Sequence, residues 1–405
     1  MKRAAFLRTG ITRPAASAAR TLLRCGTLLL LVLSSYWAVR LAWADHLSFD
    51  SGLAGRRRAV QLAPAMAAFY DRLAAKQEEL GQDPLTDLER AVSLDPENAA
   101  RRMRLGSRAE LAGDFPLAEK SLLAAADRST LYQPRYLLAQ YYFRRQNADS
   151  FWRWSREAVD TAYGQVTALL DLNWRMRPDA DWIWRHAIPP RPEIIRQYLT
   201  FLAGKGQWGT AQSVAAEMAA SATMDDRPVL LDYCERRLSH GDGPGAMTLW
   251  NALCRRGLLP YRPLDPVTGP YITSEAFDGP PLETGFAWRL TPPPGIRCAL
   301  RNHQIRLHFS GLQQEQCTIL WQYVPVEPAR HYCLQFEIQP KVPGVTFRAL
   351  DLDNTTTDGS QFQSAANNLV KLALVYRRPL GSVPFEGDAV ITSVSLKSAS
   401  RESTQ

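Results

Sequence analysis

The sequence predicts a chain that is helical first and β-stranded second: one apolar helix, a solenoid of helical hairpins and a C-terminal antiparallel β-sandwich. Three observations support this. An uncharged, mostly apolar run fills residues 25–39, alanines recur about every 33 residues in the first half, and apolar and polar residues alternate beyond Pro260. A period near 33 fits a pair of helices, and alternation fits strands with one buried face.

The N-terminal segment joins a basic leader to the apolar run. Residues 1–24 hold six basic side chains and no acidic one. We assign 1–24 as a cytoplasmic leader and 25–44 as a transmembrane anchor, because basic residues stay on the cytoplasmic side. Ala42-Trp43-Ala44 also matches a signal-peptide cleavage pattern, so a removed signal peptide stays open as an alternative. Both interpretations place residues 45–405 outside the cytoplasm, at the inner membrane if the anchor remains.

The charge distribution argues against nucleic acid as a partner. The chain of 405 residues has a formal charge of +8, but without the six basic residues of the leader it has 42 basic and 40 acidic side chains. A nearly neutral remainder lacks the basic surface that a phosphate backbone requires.

The alanine period predicts tetratricopeptide-like repeats over residues 45–260. Such a unit is a helical hairpin of about 34 residues, with small side chains where its two helices touch. Leu105-Gly106 marks a first helix, Gly113-Asp114 supplies a turn, and Ala118 and Leu122 lie on the buried face of a second helix. The alanines that define the period, with steps of 32, 34 and 33 residues, are Ala59, Ala91, Ala125 and Ala158. We expect about six hairpins that together offer a concave surface to a protein partner.

Residues 159–197 break this period. They contain Trp174, Trp182 and Trp184 and a Pro-Pro-Arg-Pro sequence at 189–192. The three tryptophans have two interpretations: a platform for a partner or ligand, or the filling of an irregular helix pair.

The C-terminal part divides into a Pro/Gly-rich linker at 261–284 and a β-sandwich at 285–400. Alternation is clearest in HQIRLHF, residues 303–309, and in HYCLQFEIQ, residues 331–339. In TILWQYVPV, residues 318–326, an inward Leu320 and Val324 would turn Trp321 and Tyr323 to the opposite face.

The sequences GFAWRL, IRLHFSG, LWQYVPVEPARHYCLQFEIQ and DAVITSVSL resemble a jelly-roll carbohydrate-binding module. Together with the leader, the apolar segment and the repeats, they resemble bacterial membrane-anchored proteins found among exopolysaccharide and O-antigen genes. The resemblance implies a setting in the assembly or export of an extracellular polysaccharide.

The glycan site that this resemblance suggests is built on an aromatic pair. Trp321 and Tyr323 would stack on sugar rings, and neighbouring polar strand residues would bind the hydroxyl groups. Those polar candidates are Arg306, His308, Gln335 and Glu337. The alternative is a strand buried on both faces, with Trp321 covered by the solenoid or a loop.

Motifs for catalysis, phosphate binding or dinucleotide binding are missing from the sequence, which predicts no catalytic residue and no cofactor. The six cysteines form no CxxC pair. Asp351, Asp353 and Asp358 are calcium candidates that depart from EF-hand spacing, and an ordinary polar turn is the alternative.

The sequence thus predicts a non-enzymatic, membrane-tethered periplasmic scaffold with a protein partner on its repeats and a face for glycan on its sandwich. Two alternatives stay open. One is a glycan-modifying enzyme with its site in the β domain, and the other is a purely structural scaffold that binds no sugar.

Overall fold

The structure is a computed structural model that describes residues 15–49, 52–350, 356–357, 361–364 and 368–398. The chain divides into two compact units, residues 1–163 and 164–405. The described helices are α1 (Ala15–Ser48), α2 (Leu53–Leu62), α3 (Ala67–Glu79), α4 (Leu85–Leu94), α5 (Ala99–Ala112), α6 (Phe115–Arg128), α7 (Tyr132–Arg144), α8 (Ala148–Thr161), α9 (Thr167–Met176), α10 (Ala180–Ala187), α11 (Pro192–Gly204), α12 (Trp208–Ser221), α13 (Arg227–Ser239) and α14 (Gly243–Arg255).

The described strands all follow the helices. They are β1 (Arg289–Leu290), β2 (Ile296–Arg301), β3 (Gln304–Ser310), β4 (Gln316–Pro325), β5 (His331–Gln339), β6 (Val345–Leu350), β7 (Thr356–Thr357), β8 (Gln361–Gln363), β9 (Leu369–Arg377) and β10 (Glu386–Ser398). The predicted fold class, helical repeats followed by antiparallel sheets, is confirmed.

Helix α1 joins the apolar segment to the first hairpin without a break. Its stretch Leu23–Ser48 is long and apolar enough to cross a membrane, a test that a signal sequence also passes. The end of α1 packs against α2: Ala44 is fully buried, and Arg40 Nε donates a hydrogen bond to the Leu62 carbonyl at 2.7 Å. The last turns of α1 are therefore part of the repeat domain.

The helices of unit 1 pair in sequence, α3 with α4, α5 with α6 and α7 with α8, and each pair packs on the next. Local sequence sets the boundaries. Asp114 caps α6 by accepting the Leu117 backbone N–H, and Gly113 before it has a φ of 85°, which glycine adopts readily. Asn98 and Asn147 cap α5 and α8 in the same way.

The predicted register of the repeat is confirmed by burial. Each alanine of the series lies on the second helix of a hairpin and has no exposed surface: Ala59, Ala91, Ala125 and Ala158. Gly106 on α5 explains why the hairpin needs small residues. A Cβ there would lie 2.7 Å from Leu122 Cγ and 3.1 Å from the Ala118 carbonyl oxygen on α6.

Unit 2 begins with helices α9 and α10, which show how residues 159–197 break the period. The segment does form a helical pair, but its helices have only 10 and 8 residues. The regular pairs α11/α12 and α13/α14 follow, with Ala211 and Ala246 fully buried. The repeat shortens at this point and then resumes.

The sandwich consists of two five-stranded antiparallel sheets. Sheet A has the order β1-β4-β9-β6-β7, and sheet B has the order β2-β3-β10-β5-β8. Within them, the orders β4-β9-β6-β7 and β3-β10-β5-β8 are those of a jelly roll. From β3 to β10 the chain changes sheet at every step except the one from β6 to β7. β1 and β2 extend the sheets at β4 and β3.

Residues 261–284, predicted as a linker, are packed onto the sandwich. Tyr271, Ile272 and Phe277 belong to its hydrophobic core, together with apolar residues of both sheets. The next residues approach α14, where a Cβ on Gly285 would lie 2.4 Å from the Trp250 ring. Since the buried Trp250 also meets the buried Phe286 edge-on at 5.8 Å, the last hairpin and the residues just before β1 share buried aromatic side chains.

Candidate functional sites

Unit 1 has a groove between the first helices of two neighbouring hairpins, α5 and α7. We call it the α5–α7 groove, and its volume is about 480 Å³. The lining residues are Met103, Arg104, Ser107, Arg108, Leu111, Gln133 and Leu137. Leu111 is 77% exposed, so this apolar side chain is accessible to solvent at the edge of the groove.

The charged side of the α5–α7 groove is basic. Arg104 and Arg108 both contact one oxygen of Glu78, with N–O distances of 3.2 and 2.9 Å. Because the two guanidinium groups share one carboxylate, the three side chains Arg104, Arg108 and Glu78 together carry a net positive charge. These arginines lie one helical turn apart, which places both on one face of α5.

Unit 2 has a second groove, of about 630 Å³, along α9 and α11. Its side chains are mostly engaged with one another. Lys205 pairs with Asp171 at 2.9 Å, and Arg196 binds the buried Asp226 at 2.7 Å. More of the lining of this groove is polar than in the α5–α7 groove. Fewer of its charged side chains, however, lack an oppositely charged partner of their own.

The three tryptophans proposed as a partner surface do not form one platform. Trp184 stacks on the buried Tyr198 with ring centroids 5.9 Å apart, and Trp174 meets Phe201 edge-on at 6.3 Å. Both rings therefore fill the space between the short pair α9/α10 and α11. Trp182 stacks on His186 at 4.4 Å and lies under the Arg177 guanidinium. All three are partly buried.

The six glycan candidates lie on opposite sides of the sandwich, which corrects the expectation that they are neighbours. Trp321 and Tyr323 are on β4, on the outer face of sheet A. The four polar candidates are exposed on the outer face of sheet B: Arg306 and His308 on β3, and Gln335 and Glu337 on β5. A single sugar unit cannot contact both groups across a sandwich about 10 Å thick.

The side chains of β4 point alternately to the two faces of the strand, as the sequence pattern indicates. Leu320, Gln322 and Val324 are fully buried, while Trp321 and Tyr323 on the other face are partly buried. The oxygen of the buried Gln322 side chain accepts a hydrogen bond from the Thr273 backbone N–H at 3.3 Å, whereas its NH2 group has no hydrogen-bond partner among the described residues.

Trp321 is flanked by two cations. Lys371 Nζ lies 4.0 Å and the Arg289 guanidinium carbon 4.2 Å from the indole ring centre. Because β1 and β9 flank β4 on opposite sides, the two side chains reach the indole from opposite sides. Burial and the nearby Arg289 charge lower the pKa of Lys371. A sugar ring that stacked on Trp321 would first have to displace one of these cations.

Sequence reasoning missed the contact that holds Arg289. Its guanidinium is buried and pairs with Glu235 on α13, and the Gly285 backbone N–H donates to the same carboxylate at 2.8 Å. No local signal could have indicated this pair, because its members lie 54 residues apart in different kinds of element.

The outer face of sheet B is polar and open. His308 Nδ1 lies 2.8 Å from Asp388 Oδ1, its direct neighbour on β10. Thr392 Oγ1 donates to Glu337 Oε2 at 2.9 Å. Both pairs join neighbouring strands across the outer face of sheet B.

The described residues give little support for a metal site or a reactive cysteine. Over the described ranges, no group of three or more His, Cys, Asp and Glu side chains is placed to hold a metal. Asp351, Asp353 and Asp358 lie outside the described residues. The described cysteines are free thiols, and burial raises the pKa of Cys298 and of Cys254 to about 12, which disfavours the reactive thiolate.

Comparison with solved structures finds proteins with helical repeats. PilF from Pseudomonas aeruginosa is 13% identical over 55% of this chain and 90% of its own, with a TM-score of 0.26. A tetratricopeptide repeat protein from Parabacteroides merdae is 14% identical over 55% and 93%, with a TM-score of 0.32. YrrB, described as a tetratricopeptide protein with an unusual peptide-binding site, is 13% identical over 51% and 94%, with a TM-score of 0.26.

No family model and no curated protein matches the chain. The identification of helical hairpins of tetratricopeptide-like length therefore rests on the helix pairing and the buried alanine series described above.

Proposed function

We propose that this chain is a non-enzymatic, membrane-tethered scaffold that binds an acidic, partly apolar segment of a partner protein in the α5–α7 groove. The observation that carries the proposal is the combination of Arg104, Arg108 and the exposed Leu111 along one groove. Arginine side chains bind carboxylates well, and an exposed leucine beside them offers apolar contact to the same segment.

The test is a peptide-binding measurement on the full chain in detergent. Peptides selected from a random phage-displayed library should be enriched in Asp and Glu next to apolar residues. By fluorescence polarisation, Arg104→Glu with Arg108→Glu should weaken the selected peptide at least tenfold, because two attractive contacts become repulsive. Leu111→Asp, at an exposed position, should weaken binding without affecting the fold.

The matched control is Lys120→Glu, an exposed charge reversal on α6 of the same hairpin. It changes the net charge by the same amount per residue and leaves the groove intact. Equal weakening by Lys120→Glu, or selected peptides without acidic residues, would contradict the proposal.

The tether is supported by the continuity of α1. Cleavage after Ala44 would remove Arg40 and Ala44, which contact α2, so the packing favours an anchor that is retained. Alkaline phosphatase fused after residue 51 should be active, and green fluorescent protein fused there should be dark, if the repeats lie in the periplasm. A mature N-terminus at Asp45 would contradict a retained anchor.

Glycan binding is a second candidate, and it is favoured by the four exposed polar candidates sharing the outer face of sheet B. We place it there rather than at Trp321. The setting in extracellular polysaccharide assembly or export rests on the resemblance alone. A glycan-array screen of the full chain tests it: Arg306→Ala with Glu337→Ala should abolish binding, and Lys341→Ala, an exposed residue beyond β5, should not. If the chain bound no glycan on the array, a purely structural role for the sandwich would remain.

A further inference from the structure

Helix α2 carries three consecutive arginines, Arg56, Arg57 and Arg58, beside the end of the apolar helix. Arg56 is partly buried and donates to the Arg72 carbonyl at 2.7 Å. Arg57 and Arg58 are exposed, and we call them the arginine pair. Within the described part of the chain, the arginine pair has no carboxylate partner; Arg58 contacts only the Gln61 side chain, at 3.0 Å.

The position of the arginine pair relative to α1 is fixed. Ala44 on α1 and Ala59 on α2 are both fully buried in one small core. The bond from Arg40 to the Leu62 carbonyl ties the end of α2 to the point where the uncharged run of α1 ends. The end of α1 and helix α2 are therefore antiparallel neighbours packed against each other.

This arrangement sets the depth of the arginine pair. Arg58 lies four residues before Leu62, which is about 6 Å along the helix axis. A headgroup layer is roughly 5–8 Å thick on each side of the hydrocarbon core. Trp37 and Trp43, which are 50% and 57% exposed on α1, are residues of the kind that lie at this boundary. If α1 spans the membrane, both arginines are within reach of lipid phosphates.

The other repeat units show that the basic charge is specific to α2. The residues one, two and three units later in the alanine register are Glu89–Arg90, Leu123–Ala124 and Arg156–Glu157. Each of these pairs has no net charge, whereas Arg57–Arg58 carries two positive charges. The fold of a hairpin therefore does not require basic residues there, and the unit next to the apolar helix is the one that has them.

We propose that Arg57 and Arg58 bind the phosphate groups of anionic phospholipids at the membrane surface beside α1. Guanidinium groups bind phosphate through paired N–H donors. The contact would hold the repeat domain at a set orientation on the membrane rather than on a loose tether. The inference rests on the proposed tether, but not on which side of the membrane the repeats lie, because phospholipids line both.

The test uses the full chain purified from membranes and exchanged into nanodiscs of equal phosphatidylglycerol and phosphatidylcholine. Native mass spectrometry then counts the lipids that stay bound. Wild type should retain phosphatidylglycerol in excess, and Arg57→Gln with Arg58→Gln should reduce that excess roughly tenfold or more, since each interfacial arginine contributes about fivefold. Arg57→Lys with Arg58→Lys keeps the charge and should retain most of it.

Arg90→Gln is the matched control, because Arg90 is the repeat equivalent of Arg58 on α4 and is exposed. It should leave the lipid ratio unchanged. A membrane-bound chain whose double glutamine variant keeps the wild-type lipid excess would overturn the inference while the tether stands. Recovery of the wild-type chain in the soluble fraction would overturn the tether and the inference together.

Discussion

At the scale of single residues, small side chains set the distance between paired helices. Gly106 faces the Ala118 carbonyl and Leu122 so closely that an added methyl group must displace the buried Leu122 side chain or α6 itself. Gly106→Ala should therefore destabilise the chain by about 1–3 kcal/mol, although alanine is the better helix former. Ala118→Leu, at a fully buried site, should cost a similar amount. Urea denaturation measures both.

Gly209 on α12 is the control for this prediction, because a Cβ there meets no atom within 4 Å. Gly209→Ala should be neutral or stabilising by up to about 1 kcal/mol. If Gly106→Ala were also neutral, the close approach of α5 and α6 would be wrong.

Trp321 is the residue whose role the structure changes most. Its indole lies between Arg289 and Lys371 and is partly buried, so Trp321→Ala should lower the unfolding free energy by roughly 2–3 kcal/mol, less than for a fully buried tryptophan. Trp321→Phe should cost less. Glycan binding on sheet B, as proposed above, should persist. A stable Trp321→Ala variant that loses glycan binding would contradict this prediction and would favour a glycan site at Trp321.

The split between the glycan candidates shows what alternation can and cannot predict. Period-two patterns correctly assign Trp321 and Arg306 to outward faces, because the pleat alone determines which side chains share a face. They do not tell which sheet a strand joins. β3 and β4 are consecutive in the chain, yet they belong to opposite sheets, and that depends on long-range pairing.

At the scale of elements, the ion pair between Glu235 on α13 and Arg289 on β1 joins a helix to the sandwich. Arg289 is 6% exposed, so removing its carboxylate partner leaves a buried charge uncompensated. Glu235→Gln should cost about 2 kcal/mol, at the lower end for a buried pair because Glu235 is itself partly exposed. Thermal unfolding of the full chain would measure the loss.

Asp232→Asn is the control for Glu235→Gln. Asp232 pairs with Arg236 one turn away on the same helix, and both side chains are exposed, so its loss should cost less than about 0.5 kcal/mol. Equal costs for the two variants would mean that the pair does not join the elements.

Asp226 at the start of α13 gives a pH-dependent prediction. Burial raises its pKa, but two hydrogen bonds from Thr223 and the Arg196 guanidinium outweigh burial and lower the pKa overall. A carboxyl whose pKa is lower in the folded state contributes stability above its unfolded value near 4. That contribution is lost as the pH falls through the folded value.

Asp226→Asn should therefore destabilise the chain by about 1–3 kcal/mol at pH 7 and by less at pH 3. Urea denaturation at the two pH values measures the difference. The exposed neighbour Asp225 is the control, and Asp225→Asn should have little effect at either pH. A cost for Asp226→Asn that did not change with pH would contradict the assigned cause.

The short pair α9/α10 shows why the repeat could not be followed through residues 159–197. The period was read from small residues at helix contacts, but this pair is shorter, and aromatic rings such as Trp184 on Tyr198 fill the contact instead. The spacing of alanines therefore cannot reveal a helix contact in which aromatic rings replace the small residues.

At the scale of the whole chain, composition misjudged residues 261–284. Their Pro and Gly content is typical of linkers, but Tyr271, Ile272 and Phe277 are buried. Irregular backbone can be packed when its apolar side chains find a core, and composition does not report that. The apolar helix, the repeat and the strands were predictable because each leaves a pattern in the sequence: an uncharged run, a spacing of alanines or an alternation of apolar and polar residues.

Hydrogen–deuterium exchange on the full chain, with and without a peptide selected for binding, tests the proposed function most directly. We predict slower exchange in α5 from Met103 to Leu111 and in α7 from Gln133 to Leu137, with loss of that protection in the Arg104→Glu, Arg108→Glu variant. Protection confined to the β-sandwich or to the α9–α11 groove, with α5 and α7 unchanged, would contradict the claim that the α5–α7 groove binds the partner.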